Sequence, residues 1–244
     1  MKYNKLSLVM PAYNEANTLH LIVERIFALD FGLDIELIIV NDGSKDTTWE
    51  IITKLASENK QIIGVQNAKN MGKSQTVKAG ITHTTGDLVV IQDADLEYEP
   101  RDLLKFVEKF QTSDIDLIYG NRFGKENKVI YWQNWFGNRF LSLVSSVFTG
   151  PKAGIWTQDM EVCYKMSKGE IFREIGKTIT STSNFGLEPE MTAKFAKYKL
   201  NGNRLKFAQI PISYFPRSIA EGKKMHAVRD GLKALWEILK FNLS

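Results

Sequence analysis

The sequence predicts an α/β fold, a mostly parallel sheet flanked by helices and built as a single domain over residues 1–244. Three observations carry this. Apolar runs of strand length alternate with segments of helical periodicity from Leu6 to Asp95. Polar clusters follow the strand-like runs, where a parallel sheet opens its ligand crevice. No repeat, low-complexity tract or flexible linker divides the chain.

The elements follow in order. Leu6–Met10 reads as a buried first strand, and Pro11, with no N–H for a ladder, is expected to end it. Leu19, Ile22, Val23, Ile26 and Leu29 keep helical spacing, with Asn14 or Asn17 as cap. Ile35–Val40 is the second strand, and Asn41-Asp42-Gly43-Ser44 is a turn by its chemistry. Ser44 or Asp46 caps a helix through Trp49, Ile52 and Leu55. Gln61–Val65 is the third strand, and Asn70-Met71-Gly72-Lys73 turns into a helix reaching Thr82. Gly86-Asp87 opens the fourth strand, which runs into Gln92-Asp93-Ala94-Asp95-Leu96-Glu97.

Pro100 is suited to the first turn of a helix packing Leu103, Leu104, Phe106, Val107 and Phe110. Asp116–Gly120 is a strand that leaves through Asn121-Arg122-Phe123. Residues 130–150 crowd aromatic and aliphatic side chains around Arg139. Two readings stand equal there, a core helix lying across the sheet or an acceptor-side helix touching lipid, where Trp and Tyr are favoured. Thr157–Glu161 precedes a strand-like run through Met166. Phe185–Glu190 opens a helix whose acids, Glu188 and Glu190, suit its N-terminal dipole. Pro211–Arg217 reads as an edge strand, and Ala227–Leu239 as a helix with Val228, Leu232, Leu235, Trp236 and Leu239 on one face.

Apolar content of 43% and charged content of 25% are those of a soluble globular chain. One cysteine, Cys163, excludes an intrachain disulfide and fits a reducing compartment. No apolar stretch has the length of a signal-peptide core or a membrane span, so the expected location is the cytoplasm. The net charge of +4 is uneven: residues 191–244 hold 11 Lys and Arg against 3 Asp and Glu. That half is expected to meet something anionic, a phosphate group or an acidic membrane face. The scattered charge and the absence of a reader motif argue against nucleic acid.

The chemistry centres on Asp93 and Asp95. Strand residues two apart share a face, so both carboxylates can aim at one point. They repel unless a cation lies between them. Mg²⁺ or Mn²⁺ suits such oxygen donors and bridges carboxylates to phosphates, with Glu97 as a third oxygen. Neither a Gly-x-Gly-x-x-Gly dinucleotide fingerprint nor a P-loop is present. Tyr13 and Glu15, Asp42, Gly72 and Lys73, and the acids at 93–97 all fall at strand ends. A diphosphate held without glycine-rich loops needs a metal there.

Pro11-Ala12-Tyr13-Asn14-Glu15, Asn41-Asp42-Gly43-Ser44, Asn70-x-Gly72-Lys73 and Asp93-Ala94-Asp95-Leu96-Glu97 resemble, in order and spacing, the family-2 glycosyltransferases. That family has the Rossmann-like fold called GT-A, and the nearest subgroup looks like the dolichyl-phosphate mannose synthase and dolichyl-phosphate glucosyltransferase type. The resemblance covers nearly the whole chain, with residues 1–120 as the nucleotide-sugar-binding half and 121–244 as the acceptor-side half. It implies that Pro11, Tyr13 and Glu15 line the base and ribose pocket with Val40 beside them, and that Asp42 hydrogen-bonds the base. Asp93 and Asp95 would hold the metal, and Glu97 stands where many relatives carry Gln. Lys73, Gln92, Ala94 and Arg122 complete the donor-binding set, Arg122 as a phosphate grip. Arg217 and Lys223 resemble a loop that closes over the donor diphosphate. Asp159 is the candidate general base.

The activity this implies is inverting hexose transfer from a nucleotide-diphosphate sugar to a polyprenyl phosphate, whose ionised oxygen needs no base. A sugar hydroxyl acceptor in cell-surface polysaccharide synthesis would need one. A nucleotide-binding module without turnover is the reading of another class. Relatives often continue into membrane helices, whereas this sequence stops, so the expected membrane contact is peripheral.

Overall fold

The computed structural model describes residues 2–127, 132–183, 185–217 and 227–243. The first half runs β1 (Lys5–Ala12), α1 (Leu19–Phe27), β2 (Asp34–Asn41), α2 (Thr48–Glu58), β3 (Ile62–Gln66), α3 (Lys73–Ile81) and β4 (Leu88–Ile91). A short 3-10 turn at Pro100–Asp102 leads into α4 (Leu103–Thr112), followed by β5 (Leu117–Asn121). The second half contains α5 (Trp132–Ala153), β6 (Lys165–Lys168), α6 (Gly169–Lys177) and α7 (Leu187–Lys197). A small hairpin of β7 (Lys199–Leu200) and β8 (Asn203–Arg204), then β9 (Phe207–Pro211) and α8 (Ala227–Leu243), complete it.

Seven strands of the described residues form one sheet in the order β3-β2-β1-β4-β6-β5-β9. The pairs β1–β2, β1–β4, β2–β3 and β5–β9 are parallel. Strand β6 alone runs antiparallel, between β4 and β5. That reversal positions the site. It brings the segment leading into β6 to the edge where β4 and β5 finish.

The core strands are near-continuous apolar runs, as expected of strands covered on both faces. Leu6, Leu8, Val9 and Met10 of β1 and Leu37–Val40 of β2 are fully buried. Strand β1 does not end at Pro11; it pairs with β2 through Ala12. Parallel strands alternate the side to which each residue's N–H and C=O point. The Ala12 carbonyl accepts from Asp42 N–H on the β2 side, so the nitrogen of Pro11 faces β4, whose last paired residue is Ile91 opposite Val9. No ladder bond is lost.

Two other expectations are corrected, and two further elements are present. Neither Asn14 nor Asn17 caps α1. The Glu15 carbonyl accepts from Thr18 and Leu19 N–H, while Asn14, at φ 56°, bridges to the next loop by accepting from Lys45 N–H. The edge strand is Phe207–Pro211 rather than Pro211–Arg217, because after Ile212 the chain leaves β5 for the segment following β4, where Tyr214 bridges Tyr98 and Phe215 N–H donates to the Glu97 carbonyl. Helix α6, which buries Ile171, Phe172 and Ile175, and the β7–β8 hairpin were not anticipated.

Candidate active site

A cleft of about 480 Å³ opens at the carboxyl ends of β1, β2 and β4. It is lined by Pro11, Ala12, Tyr13, Glu15, Asp42, Asn70, Gly72, Lys73, Thr76, Asp93, Ala94 and Asp95. Eight of the residues predicted for donor binding are therefore together: Pro11, Tyr13, Glu15, Asp42, Lys73, Asp93, Ala94 and Asp95.

The β1 and β2 wall is built by local turn chemistry. Asp42, buried just past β2, accepts from Asn67 Nδ2 (2.9 Å), Met71 N–H (2.8 Å) and Gly72 N–H (2.9 Å). Its carboxylate thereby fixes the loop that starts α3. Gly43 sits at φ 67°, and a Cβ there would stand 2.7 Å from the Lys69–Asn70 backbone, so the two loops touch where only glycine fits. Gly72, at φ 82°, lets the chain turn straight into α3 and aims Lys73 across the cleft.

Lys73 Nζ lies 2.9 Å from Asp93 Oδ1 and 3.1 Å from Glu188 Oε1, which comes from the first turn of α7. Burial works against the ammonium charge, but Asp93 and Glu188 outweigh it and hold Lys73 well above its usual range. Arg217 Nη2 lies 2.7 Å from Asp95 Oδ2, and Nη1 lies 3.6 Å from Glu15 Oε1. Burial, then the charges of Asp93 and Glu97, push Asp95 up to about 7 despite that arginine. Asp93 and Asp95 thus face one cleft and repel. Two hard oxygen donors under mutual repulsion fit a divalent cation with phosphate oxygens as further ligands.

Several predicted residues stand elsewhere. Among the described residues, no group of three acids converges as a ready metal cage. Glu97 engages Tyr214 O–H through Oε2 and Arg217 N–H through Oε1, both at 2.8 Å, so it holds the Arg217 segment in place. Val40 is fully buried, packed toward α3 at Gly80, because β2 continues one residue past it. Gln92 is also fully buried. It accepts from Tyr164 O–H (2.6 Å) and donates to the Asp93 carbonyl (3.0 Å), shaping the turn that presents the aspartates.

Arg122 and Asp159 form a buried fork. Asp159 Oδ2 accepts from Arg122 Nε (2.8 Å) and backbone N–H (2.9 Å), and Oδ1 from Nη2 (2.7 Å). Burial opposes the guanidinium charge, but Asp159 outweighs it and raises Arg122 further. The guanidinium also lies 5.0 Å from the ring centre of Tyr214. Both oxygens of Asp159 are therefore taken, and Arg122 is a brace behind Tyr214 and Glu97. Lys223 lies outside the described residues.

Sequence reasoning leaves Asn67 and Tyr214 out of the site, and gives Glu188 to the helix dipole with catalysis as the minority reading, although its place at the mouth of α7 is the available signal. Asn67 and Tyr214 carry none, since only the folded loops bring them in.

Among solved structures, the fold is similar to glucosyl-3-phosphoglycerate synthase from Mycobacterium tuberculosis, in complex with Mn²⁺, UDP and glucosyl-3-phosphoglycerate. The TM-score is 0.69 and the identity 20%, over 98% of this chain and 80% of that one. In sequence, the chain is 34% identical over 128 residues to the dolichol-phosphate mannosyltransferase of Pyrococcus furiosus, 52% of this chain and 36% of that protein. It is 32% identical over 150 residues to the undecaprenyl-phosphate 4-deoxy-4-formamido-L-arabinose transferase of Sodalis glossinidius, 60% of this chain and 44% of that protein. The chain thus spans less than half the length of these two relatives. The family model described as Glycosyl transferase family 2 matches residues 7–176, from β1 through α6 and including every cleft-lining residue. With strands β1 to β6, the cleft at the carboxyl edge and the paired aspartates inside that match, this chain belongs to glycosyl transferase family 2.

Proposed function

We propose that this chain transfers a hexose, with inversion, from a nucleotide-diphosphate sugar to a polyprenyl phosphate, using Mg²⁺ or Mn²⁺. The observation that carries this is the cleft in which Asp93 and Asp95 sit opposite Lys73 and Arg217. Pro11, Tyr13 and Asp42 offer the base and ribose a wall, and Asp93 and Asp95 would hold the cation. That cation supplies charge neutralisation to the diphosphate. Arg217 and Lys73 add positive charge where the leaving diphosphate develops its own. Asp95 and Glu15 hold Arg217, and a bound diphosphate would compete with them for its guanidinium.

A hydroxyl acceptor needs a base, and both oxygens of Asp159, the base candidate from the sequence, are engaged by Arg122. A phosphate oxygen, ionised near neutral pH, needs none. Arg139 is exposed on α5 with its guanidinium 5.4 Å from the ring centre of Phe123, the neighbour of Arg122, and is a cation available to such a phosphate. The relatives named for dolichol-phosphate and undecaprenyl-phosphate transfer favour the same acceptor class.

The lipid part of the acceptor has a matching surface. Trp132, Phe136, Phe140, Leu143 and Val147 line one stripe of α5, each 55–65% exposed, and Leu232 and Trp236 are exposed on α8, which packs beside it. No helix among the described residues is long and apolar enough to cross a membrane. We propose that this face rests on the membrane surface, its apolar side chains in the acyl boundary.

The test is transfer of labelled sugar from UDP-glucose or GDP-mannose to a short polyprenyl phosphate, with Mn²⁺ and with EDTA. Transfer abolished by EDTA is expected. Tight donor binding with no turnover on any acceptor would make the chain a nucleotide-binding module instead. Flotation with anionic liposomes tests the surface, and protein left entirely at the bottom removes that part of the reading.

A further inference from the structure

The segment entering β6 carries an acid that the cleft so far leaves without a task. Lys165, the first residue of β6, is buried, and its ammonium donates to the carbonyls of Met160 (2.8 Å) and Val162 (2.5 Å). It clamps the backbone on both sides of Glu161. On one flank Arg122 fixes Asp159. On the other, Cys163 N–H donates to Tyr98 Oη (3.2 Å) and Tyr164 O–H to Gln92 (2.6 Å), which ties the segment to the end of β4. Glu161 is thus presented by a rigid frame. Its Oε1 is buried and has no hydrogen-bond partner among the described residues. An acceptor oxygen left so is costly unless a ligand completes it.

Its place along the sheet edge says which part of a ligand arrives there. The base wall follows β1 and β2, and the aspartates follow β4. The next strand in the sheet is β6, then β5. A nucleotide-diphosphate sugar laid along this edge puts base, diphosphate and sugar over β2 and β1, β4, and β6 in turn. By strand order Glu161, four residues ahead of β6, falls at the third position. Its electrostatic neighbours are Glu188, Lys165, Arg122 and Asp159, and Glu188 in turn reaches Asp93 through Lys73. Burial, then the charge of Glu188, push Glu161 up to about 8.

We infer that Glu161 binds a hydroxyl of the transferred sugar and helps to select which sugar is taken. This rests on the donor reading above, and the test separates the two. Binding of UDP, UDP-glucose, GDP and GDP-mannose is titrated with Mn²⁺ on the wild-type chain and on Glu161→Ala. The expected result is a nucleotide-sugar affinity lowered roughly tenfold or more, with the parent nucleoside diphosphate bound as in wild type. Unchanged diphosphate binding also reports that the variant is folded. Equal weakening of both ligands, or of neither, overturns the role of Glu161 and leaves the donor reading intact. So does an unchanged nucleotide-sugar affinity with a collapsed kcat, which would place Glu161 on the acceptor instead. Wild-type chain that binds none of the four removes the donor reading itself. Should the alanine variant not fold, Glu161→Gln keeps the volume and is read in the same titrations. There a nucleotide-sugar affinity lowered about threefold, with diphosphate binding held, supports the assignment, and a smaller change overturns it.

Discussion

Helices α4 and α5 bury opposite kinds of residue. In α4, Leu103, Phe106, Val107 and Phe110 face the core, and charged residues such as Lys105 and Lys109 face out. In α5, Ser142, Ser145, Ser146, Thr149 and Gly150 face in, while Trp132, Phe136, Phe140 and Leu143 face out. Three of the four inner hydroxyls of α5 are served, while Ser145 Oγ has no hydrogen-bond partner among the described residues. Ser142 donates to the Asn138 carbonyl (2.7 Å), Ser146 to that of Thr157 (2.9 Å) and Thr149 to that of Ile155 (2.8 Å). Small inward residues let α5 lie close to α7 and α8, and Trp156 covers Gly150 where any side chain would collide. The difference teaches that α4 is patterned for water outside and α5 is not. A contiguous outward apolar stripe of this size marks an interaction face.

The largest contrast comes from truncating a buried aromatic of α4 and exposed aromatics of α5 and α8. Phe106→Ala in α4 is expected to cost about 3–5 kcal/mol in urea unfolding. Phe136→Ser with Trp236→Ser on the outer face should leave stability within about 0.5 kcal/mol while abolishing liposome flotation. Stability losses of similar size would show that both faces are core. Within the donor cleft, Asp95→Ala should lower turnover about 10²–10³-fold and leave flotation untouched, which separates chemistry from surface contact. Loss of both together would mean the two halves are not independent.

Asp159→Asn sharpens the acceptor side. It leaves the buried Arg122 charge half-served, so a destabilisation of about 3 kcal/mol is expected together with any loss of rate. A stable, inactive Asp159→Asn chain would instead restore Asp159 as a general base.

The smallest effect lies at the opposite end of the sheet. Burial opposes the charge of Glu36, but hydrogen bonds from Lys5, Ser7 and Thr85 outweigh it and hold the carboxyl down to about 2. A folded pKa below the unfolded one contributes stability that is present above about pH 4.5 and lost as pH falls toward 2. Thermal melts should therefore fall over that window in wild type and fall less in Glu36→Gln. Identical acid limbs in the two proteins would rule this out.

By itself the sequence determined the alternating α/β pattern, the parallel donor half and the cleft-forming residues around Tyr13, Asp42, Lys73, Asp93 and Asp95. Those signals are local. Strand runs, turn chemistry and a two-residue spacing need no distant partner to be read. Tertiary structure alone decided the antiparallel insertion of β6, the pairing of Asp159 with Arg122, the diversion of Glu97 to Tyr214 and Arg217, and which face of α5 points outward. Each depends on segments far apart in the chain. A carboxylate's task is set by which cation or hydroxyl folding brings beside it, and an apolar helix face is core or surface only according to what packs against it.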